Sequence, residues 1–259
     1  MEDLLVAVAI GFAAGYLSGQ FGIGGGIVTT PAIRLVLGYP ALIAVGTPLP
    51  VIIPGAVVGA IAYARRGLAE VPLGLRVGVV GAGFSVLGAW ASDLVGGQIV
   101  LLVTAALISW MAVDMILLAR RPLAEEAESD ASAGRQHAWW KVGVLGVVTG
   151  LYSGFLGVGG GFVVVPALIR YFGLSAKRAI GTSLIVVTLL AIPGTVAHYL
   201  LGHVDVVLAV ALAIGVVPGA LLGARVTSRS REKSVRIGFA VLLLVVAGVL
   251  AAAELGLLS

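Results

Sequence analysis

Gly22-Ile23-Gly24-Gly25-Gly26 decides how this chain is read, because Gly157-Val158-Gly159-Gly160-Gly161 repeats it 135 positions later. Outward from those glycines, Gly15 to Arg34 aligns with Gly150 to Ile169 without a gap, with 10 identities in 20 positions. Ser18-Gly19 matches Ser153-Gly154, and Pro31-Ala32 matches Pro166-Ala167. The same offset carries Gly46-Thr47 onto Gly181-Thr182, Gly59 onto Gly194 and Gly88-Ala89 onto Gly223-Ala224. A single offset held over that length marks a duplication. The expected units are a first repeat over 1–119, a linker over 120–138 and a second repeat over 139–259.

Of the 259 residues, 60% are hydrophobic and only 11% charged, the composition of a membrane protein. Nearly uncharged runs follow one another along the chain, most of them long enough to cross a hydrocarbon core of roughly 30 Å as helices. The opening Met1-Glu2-Asp3 is acidic, unlike a cleaved signal peptide, so the first run is read as retained. With no cysteine, thiol redox chemistry, disulfides and thiolate metal sites are excluded. The basic residues sit in short loops between apolar runs. They read as a topology signal rather than as a nucleic-acid surface.

Leu4 to Leu37 would be about 50 Å long as one helix, too long for a single span, and four glycines interrupt it near its middle. Trp139 to Phe172 repeats both features. Each is read as a helix, a break and a shorter helix, in one of two geometries: a bent single crossing, or a hairpin returning to its own side. As single crossings, they divide the basic residues nine against seven. As hairpins, they leave three crossings per repeat, invert one repeat relative to the other, and put 15 of the 16 basic residues on one face, with Arg34 alone opposite. The positive-inside rule favours the hairpins. The expected fold is therefore an all-α polytopic membrane protein of two inverted repeats, each a glycine-broken helical hairpin plus three transmembrane helices. Both termini are expected outside the cytoplasm, and the linker, with Glu125, Glu126, Glu128 and Asp130, inside it. Glycines at 74, 78 and 81, and at 215, 219 and 223, serve close helix packing within the protomer or a homodimer contact.

Gly22-x-Gly24 lacks the third glycine of a dinucleotide fingerprint, position 27 being isoleucine. Broken helices meeting near the midplane are the plan on which secondary transporters build substrate sites. The short helix after each break points free N–H groups and a positive dipole end at the centre, and such ends take anions without Lys or Arg. Candidate ligands are Ser18, Gln20, Gly22, Gly24, Gly25, Gly26, Thr29, Thr30, Gly46 and Thr47 in the first repeat. The second offers Ser153, Gly157, Gly159, Gly160, Gly161, Gly181, Thr182 and Ser183. Pro48 stands where the second repeat has Ser183, so the half-sites are chemically unequal. His198, aligned with Tyr63, is a candidate proton-coupling or substrate group, and Arg34 an anchor or an attractor for anions.

The doubled Ser-Gly-x-x-Gly-x-Gly-Gly-Gly with Pro-Ala after it, each copy with a downstream Gly-Thr, resembles the TauE/SafE family of sulfite and organosulfonate exporters. The likeness covers nearly the whole chain, and it implies transport of sulfur-containing anions such as sulfite or sulfoacetate across the cell (cytoplasmic) membrane. No cofactor, metal or catalytic residue is expected. The expected partners are a small anion and the lipid bilayer, not nucleic acid, with the coupling ion, proton or other, left open. Two rival functions are a passive anion channel and an intramembrane enzyme; the latter would need a base or carboxylate cluster that the apolar runs do not supply.

Overall fold

A computed structural model describes residues 2–119 and 139–254. Among the described residues all regular structure is helical. The linker expected over 120–138 lies outside them. The first repeat contains α1 (Glu2–Phe21), α2 (Gly26–Leu35), α3 (Ala41–Gly46), α4 (Pro48–Ala64), α5 (Val71–Val95) and α6 (Gly97–Ala119). The second contains α7 (Trp139–Leu156), α8 (Gly161–Phe172), α9 (Ala176–Leu200), α10 (Val206–Arg229) and α11 (Glu232–Glu254).

Among the described residues, six helical spans are long and apolar enough to cross a membrane: α1, the α3–α4 pair, α5, α6, α9 and α10. Five are expected crossings, and the sixth is the first arm of the first hairpin. The remaining expected crossing, from Ile237 on, lies in α11, a helix that starts with Glu232, Lys233 and Arg236. Large apolar side chains face outward, with Leu94 at 87% and Leu200 at 79% exposure. A water-facing surface does not carry apolar area on that scale, whereas a lipid-facing one does. Most buried are the α3–α4 pair and α9, which carry Pro48, Pro50 and Pro54, and Pro193. In the first repeat this crossing breaks at Thr47, because Pro48 has no N–H to continue the ladder but suits a helix start. α9 runs through unbroken; near its Pro193 the Leu190 carbonyl accepts the Ser85 hydroxyl at 2.9 Å.

Glycines fix the helix packing. Gly11, Gly15 and Gly19 of α1 lie against the backbone of Leu212, Val216 and Ala220 of α10. Gly215, Gly219 and Gly223 of α10 return the contact onto Val8, Phe12 and Tyr16 of α1. Both sets advance in step, so the helices run parallel. α7 and α5 match them, with Gly150 on Gly81, Gly154 on Ser85 and Gly88 on Leu151. Each opening helix thus packs on the second crossing of the other repeat, and the neighbours of these glycines lie in the same chain.

Both 34-residue segments double back. Ile33, Leu37 and Tyr39, at the end of the first, cluster with Ala7, Val8 and Leu208, near the starts of α1 and α10. Arg170 and Phe172, at the end of the second, share a cleft with Trp140 and Lys141, where α7 begins. One end of the bundle collects the ion pairs Arg170–Asp114 and Arg178–Glu70. There too, the Arg66 guanidinium donates to the Ser228 hydroxyl at 2.6 Å and the Ala224 carbonyl at 3.2 Å. The opposite end holds Arg34, bonded to the Tyr39 carbonyl at 3.2 Å, with Asp93 and Asp205.

This placement sets an expected labelling pattern. Single cysteines replacing Arg65 and Arg229 should react with an impermeant thiol reagent from the same side of sealed vesicles, and one replacing Val36 only from the other. The natural chain has no cysteine, so no background labelling intrudes. Opposite labelling of Arg65→Cys and Arg229→Cys would contradict the packing described.

Candidate functional site

The two glycine turns meet at the centre of the molecule. Gly22, Gly24 and Gly25 have φ of 72°, 79° and 89°; Gly157, Gly159 and Gly160 have 65°, 78° and 70°. Side-chain-bearing residues avoid that left-handed region, so glycine is required to bring the chain out of one helix and straight into the next. The turns also touch. A Cβ on Gly26 would lie 2.6 Å from the Val158 Cα, and one on Gly161 would meet the Gly22 carbonyl and the Ile23 backbone. Gly24 and Gly159 are both flanked by Ile52 and Val187, which are equivalent at the 135-residue offset. Val187 lies near the middle of α9 and Ile52 near the middle of the α3–α4 pair, so the turns meet halfway along the buried crossings.

The short helices begin here, α2 at Gly26 and α8 at Gly161, and neither N-terminus has a side-chain cap. Their first N–H groups have no carbonyl of their own helix to bond. Beside each lies a serine. Ser18 packs next to Gly25 and Ser153 next to Gly160. Both serines are fully buried, and neither hydroxyl has a hydrogen-bond partner. Thr30, in α2, is likewise buried with its hydroxyl unpartnered.

Other candidate hydroxyls are already engaged. Thr29 donates to the Gly25 carbonyl at 3.3 Å, and Ser183 lies 2.8 Å from the carbonyls of both Gly22 and Ile180. Thr47 accepts the Asp205 N–H at 3.1 Å, and its equivalent Thr182 accepts the Glu70 N–H at 2.8 Å while donating to the Arg178 carbonyl. These threonines tie down the residues preceding α10 and α5, toward the ends of the bundle. Gly46 and Gly181 seat the backbones of His203 and Leu68 beside them. Gln20 rests on α10, its carbonyl accepting the Thr227 hydroxyl at 2.9 Å. His198 lies at the other end, with Nε2 2.7 Å from the Gly154 carbonyl. Of the sequence candidates, then, Ser18, Ser153, Ser183 and the two turns come together, with Thr29 and Thr30 on the adjoining helix. Gln20, Gly46, Thr47, Gly181, Thr182 and His198 lie apart. Sequence reading missed Ile52 and Val187, for which only the offset could have argued, and also His203, which touches His198, and Asp93, which touches His203.

A cleft of about 620 Å³ opens elsewhere, at the ion-paired end between α6, α7 and α8, lined by Trp110, Trp140, Lys141 and the Asp114–Arg170 pair. Among the described residues, no group of three or more His, Asp or Glu could hold a metal ion.

The sequence pattern described as "Sulfite exporter TauE/SafE" matches residues 7–250. The chain belongs to the TauE/SafE family. Its relatives include a Bacillus subtilis protein named "Probable membrane transporter protein YunE", 27% identical over 250 residues, covering 90% of this chain and 92% of that one. A "Probable membrane transporter protein" from Xylella fastidiosa is 30% identical over 230 residues, covering 88% and 87%. A third, MJ0441 of Methanocaldococcus jannaschii, carries the same description at 25% identity over 250 residues, covering 90% of each. No solved structure matches. The chain is a membrane transporter of this family, and not an enzyme.

Contact between the turns makes their glycines unequal to others in the chain. Gly161→Ala places a methyl into backbone that cannot yield, an overpacking cost of typically 1–3 kcal/mol, and should lower the melting temperature of the detergent-purified protein. Gly143→Ala, in α7 with open space around it, should leave that temperature unchanged or raise it slightly. Equal melting temperatures for the two variants would mean the turns do not touch as described.

Proposed function

We propose that the protein carries a small sulfur-containing oxyanion, sulfite or a sulfonate such as sulfoacetate, across the cell membrane. The anion is held between Ser18, Ser153 and the N-termini of α2 and α8. The observation that carries this reading is the matched pair of buried hydroxyls without partners. Leaving a buried polar group unbonded costs about 1–3 kcal/mol. Here the cost recurs at equivalent positions of both repeats, each time beside an uncapped helix N-terminus with its positive dipole end. An oxyanion supplies acceptors for hydroxyls and free N–H groups together. Neither turn contains Lys or Arg, so these groups would carry the binding alone.

The hairpins support an inverted arrangement of the repeats, with the 15 basic residues cytoplasmic and both termini outside. The first turn would then reach the centre from outside and the second from the cytoplasm. Because the turns touch, this conformation is closed at its centre. A substrate enters only when one hairpin moves off the other, which is the behaviour of a carrier working by alternating access rather than of an open channel.

Unpartnered hydroxyls give the test an unusual signature. Ser18→Ala and Ser153→Ala should leave the melting temperature of the empty protein unchanged or raised, since each removes an unsatisfied group. Each should nonetheless weaken anion binding by about tenfold, the equivalent of 1.4 kcal/mol. Binding is read as the thermal shift and calorimetric affinity for sulfite, sulfate, thiosulfate, sulfoacetate and taurine. Thr182→Val, which breaks two hydrogen bonds of the scaffold, should do the reverse, losing stability with little direct loss of affinity. Serine variants that bind every anion of the panel as the natural chain does would remove the turns as the anion site.

A further inference from the structure

His198 belongs to a chain of groups that the anion site does not use. Its Nε2 lies 2.7 Å from the Gly154 carbonyl, its Nδ1 lies 3.1 Å from Nδ1 of His203, and Nε2 of His203 lies 3.1 Å from an Asp93 carboxylate oxygen. Both rings are buried, at 0% and 4% exposure, whereas the Asp93 side chain is 45% exposed. The chain thus runs from water to Gly154, the residue next to Ser153.

Counting protons along it gives a definite answer. A carbonyl only accepts, so His198 Nε2 carries hydrogen, and in the neutral ring its Nδ1 is a lone pair. His203 Nδ1 then donates to it. The Asp93 carboxylate also only accepts, so His203 Nε2 donates as well, and the extra proton is on His203. With His198 as the charged ring instead, its Nδ1 donates to a lone pair on His203 Nδ1 and the same contacts are met. Either way the two rings share three hydrogens among four nitrogens, one proton more than two neutral imidazoles. Removing that one proton, by way of the exposed Asp93, leaves one of the two contacts with a lone pair facing a lone pair.

We infer that Asp93, His203 and His198 form a one-proton store opening at the end of the bundle opposite the ion pairs, and that its filling is coupled to the second glycine turn. The coupling, though not the store, rests on the transport reading above. With the proton in place, α5, α9 and α7 are tied together through Asp93, the two rings and Gly154. Without it the tie opens, and the end of α7 leading into Gly157 loses a restraint.

The other repeat shows that the tie does not itself require histidine. At the equivalent positions the Tyr63 hydroxyl donates to the Gly19 carbonyl at 2.9 Å, Leu68 replaces His203, and Ser228 replaces Asp93, accepting from the always-charged Arg66. The same mechanical pin is made there without an imidazole, and of the two repeats only the second makes it from histidines. Around the pair, α5 brings Asp93, α7 the Gly154 carbonyl and α3 the backbone at Gly46. The other titratable groups close in sequence are Tyr199, which is exposed, and Asp205, whose carboxylate accepts the Leu208 N–H at 2.9 Å.

Asp93→Asn separates the store from the scaffold. An amide N–H can donate to His203 Nε2, so the chain stays satisfied with a neutral ring and no added proton. In the full chain, purified in detergent and labelled with ring-15N histidine, magnetic resonance should find three of the four ring nitrogens of His198 and His203 protonated at pH 7. In Asp93→Asn it should find two. Two singly protonated rings in the natural protein overturn the store. Coupling is read in sealed vesicles with an internal pH dye and a sulfoacetate gradient, sulfoacetate being fully ionised above about pH 5. The natural protein should move protons with the anion, and Asp93→Asn should move the anion with at least tenfold less proton flux. Anion flux without proton flux in the natural protein overturns the coupling. Absence of flux for every anion of the panel overturns the anion reading and the coupling with it, while the ring protonation still judges the store separately.

Discussion

Everything in this molecule depends on backbone meeting backbone where no side chain intervenes. In lipid, backbone polar groups have no water to turn to, so a break in a helix survives only inside protein. The two glycine turns are such breaks, and they are sheltered by each other and by Ile52 and Val187. Their burial in turn requires α1 and α7 to sit deep within the bundle. That depth comes from glycine again, through the close seams of α1 with α10 and of α7 with α5. Because each seam joins an element of one repeat to an element of the other, neither repeat encloses its own turn.

The equivalence of the repeats is carried furthest where the chain needs stiffness. Thr47 and Thr182 receive the N–H groups of Asp205 and Glu70 in the same way, and Gly46 and Gly181 seat the following loop in the same way. It fails at two places. Ser183 bridges toward Gly22, where the first repeat has Pro48 and a broken helix. His198 holds Gly154 where Tyr63 holds Gly19. A duplicated scaffold with unequal fittings has two chemically unequal ends, as the proposed carrier would need to distinguish one side of a membrane from the other.

Much of this was legible in the sequence because duplication and glycine are loud signals. The hairpins followed from the length of the 34-residue segments and the placement of Arg34 against the other basic residues, and the clustering of Ile33 with Ala7 agrees. The roles of individual hydroxyls were not legible. Thr47, Thr182, Ser18 and Ser153 look alike in sequence: each is a small hydroxyl residue beside a glycine in an apolar run. What separates them is whether a backbone group from a distant loop arrives within about 3 Å, a fact of tertiary packing. His203 escaped notice for a related reason. Five residues past His198 and beyond the helix end, it reads as a loop residue until α5 brings Asp93 to it.

Holding an anion without a cationic side chain has an electrical consequence. Each neutral hydrogen bond adds only about 0.5–1.5 kcal/mol, and those to a charge about 1.5–3, so several are needed and any one is easily released. A fixed Lys or Arg would bind more firmly but would leave a buried, unpaired charge whenever the site emptied, at a cost of several kcal/mol. A neutral cage such as the one proposed avoids that penalty in the empty state. The loaded state, however, carries the full charge of its ligand, and moving one charge through 100 mV involves about 2.3 kcal/mol. In the coupling inferred above, a single proton held on the histidine chain would cancel that charge for a monovalent anion and leave one charge uncancelled for a divalent one. Under this arrangement the voltage across the membrane, rather than the shape of the cage, discriminates between a singly charged and a doubly charged oxyanion of similar size.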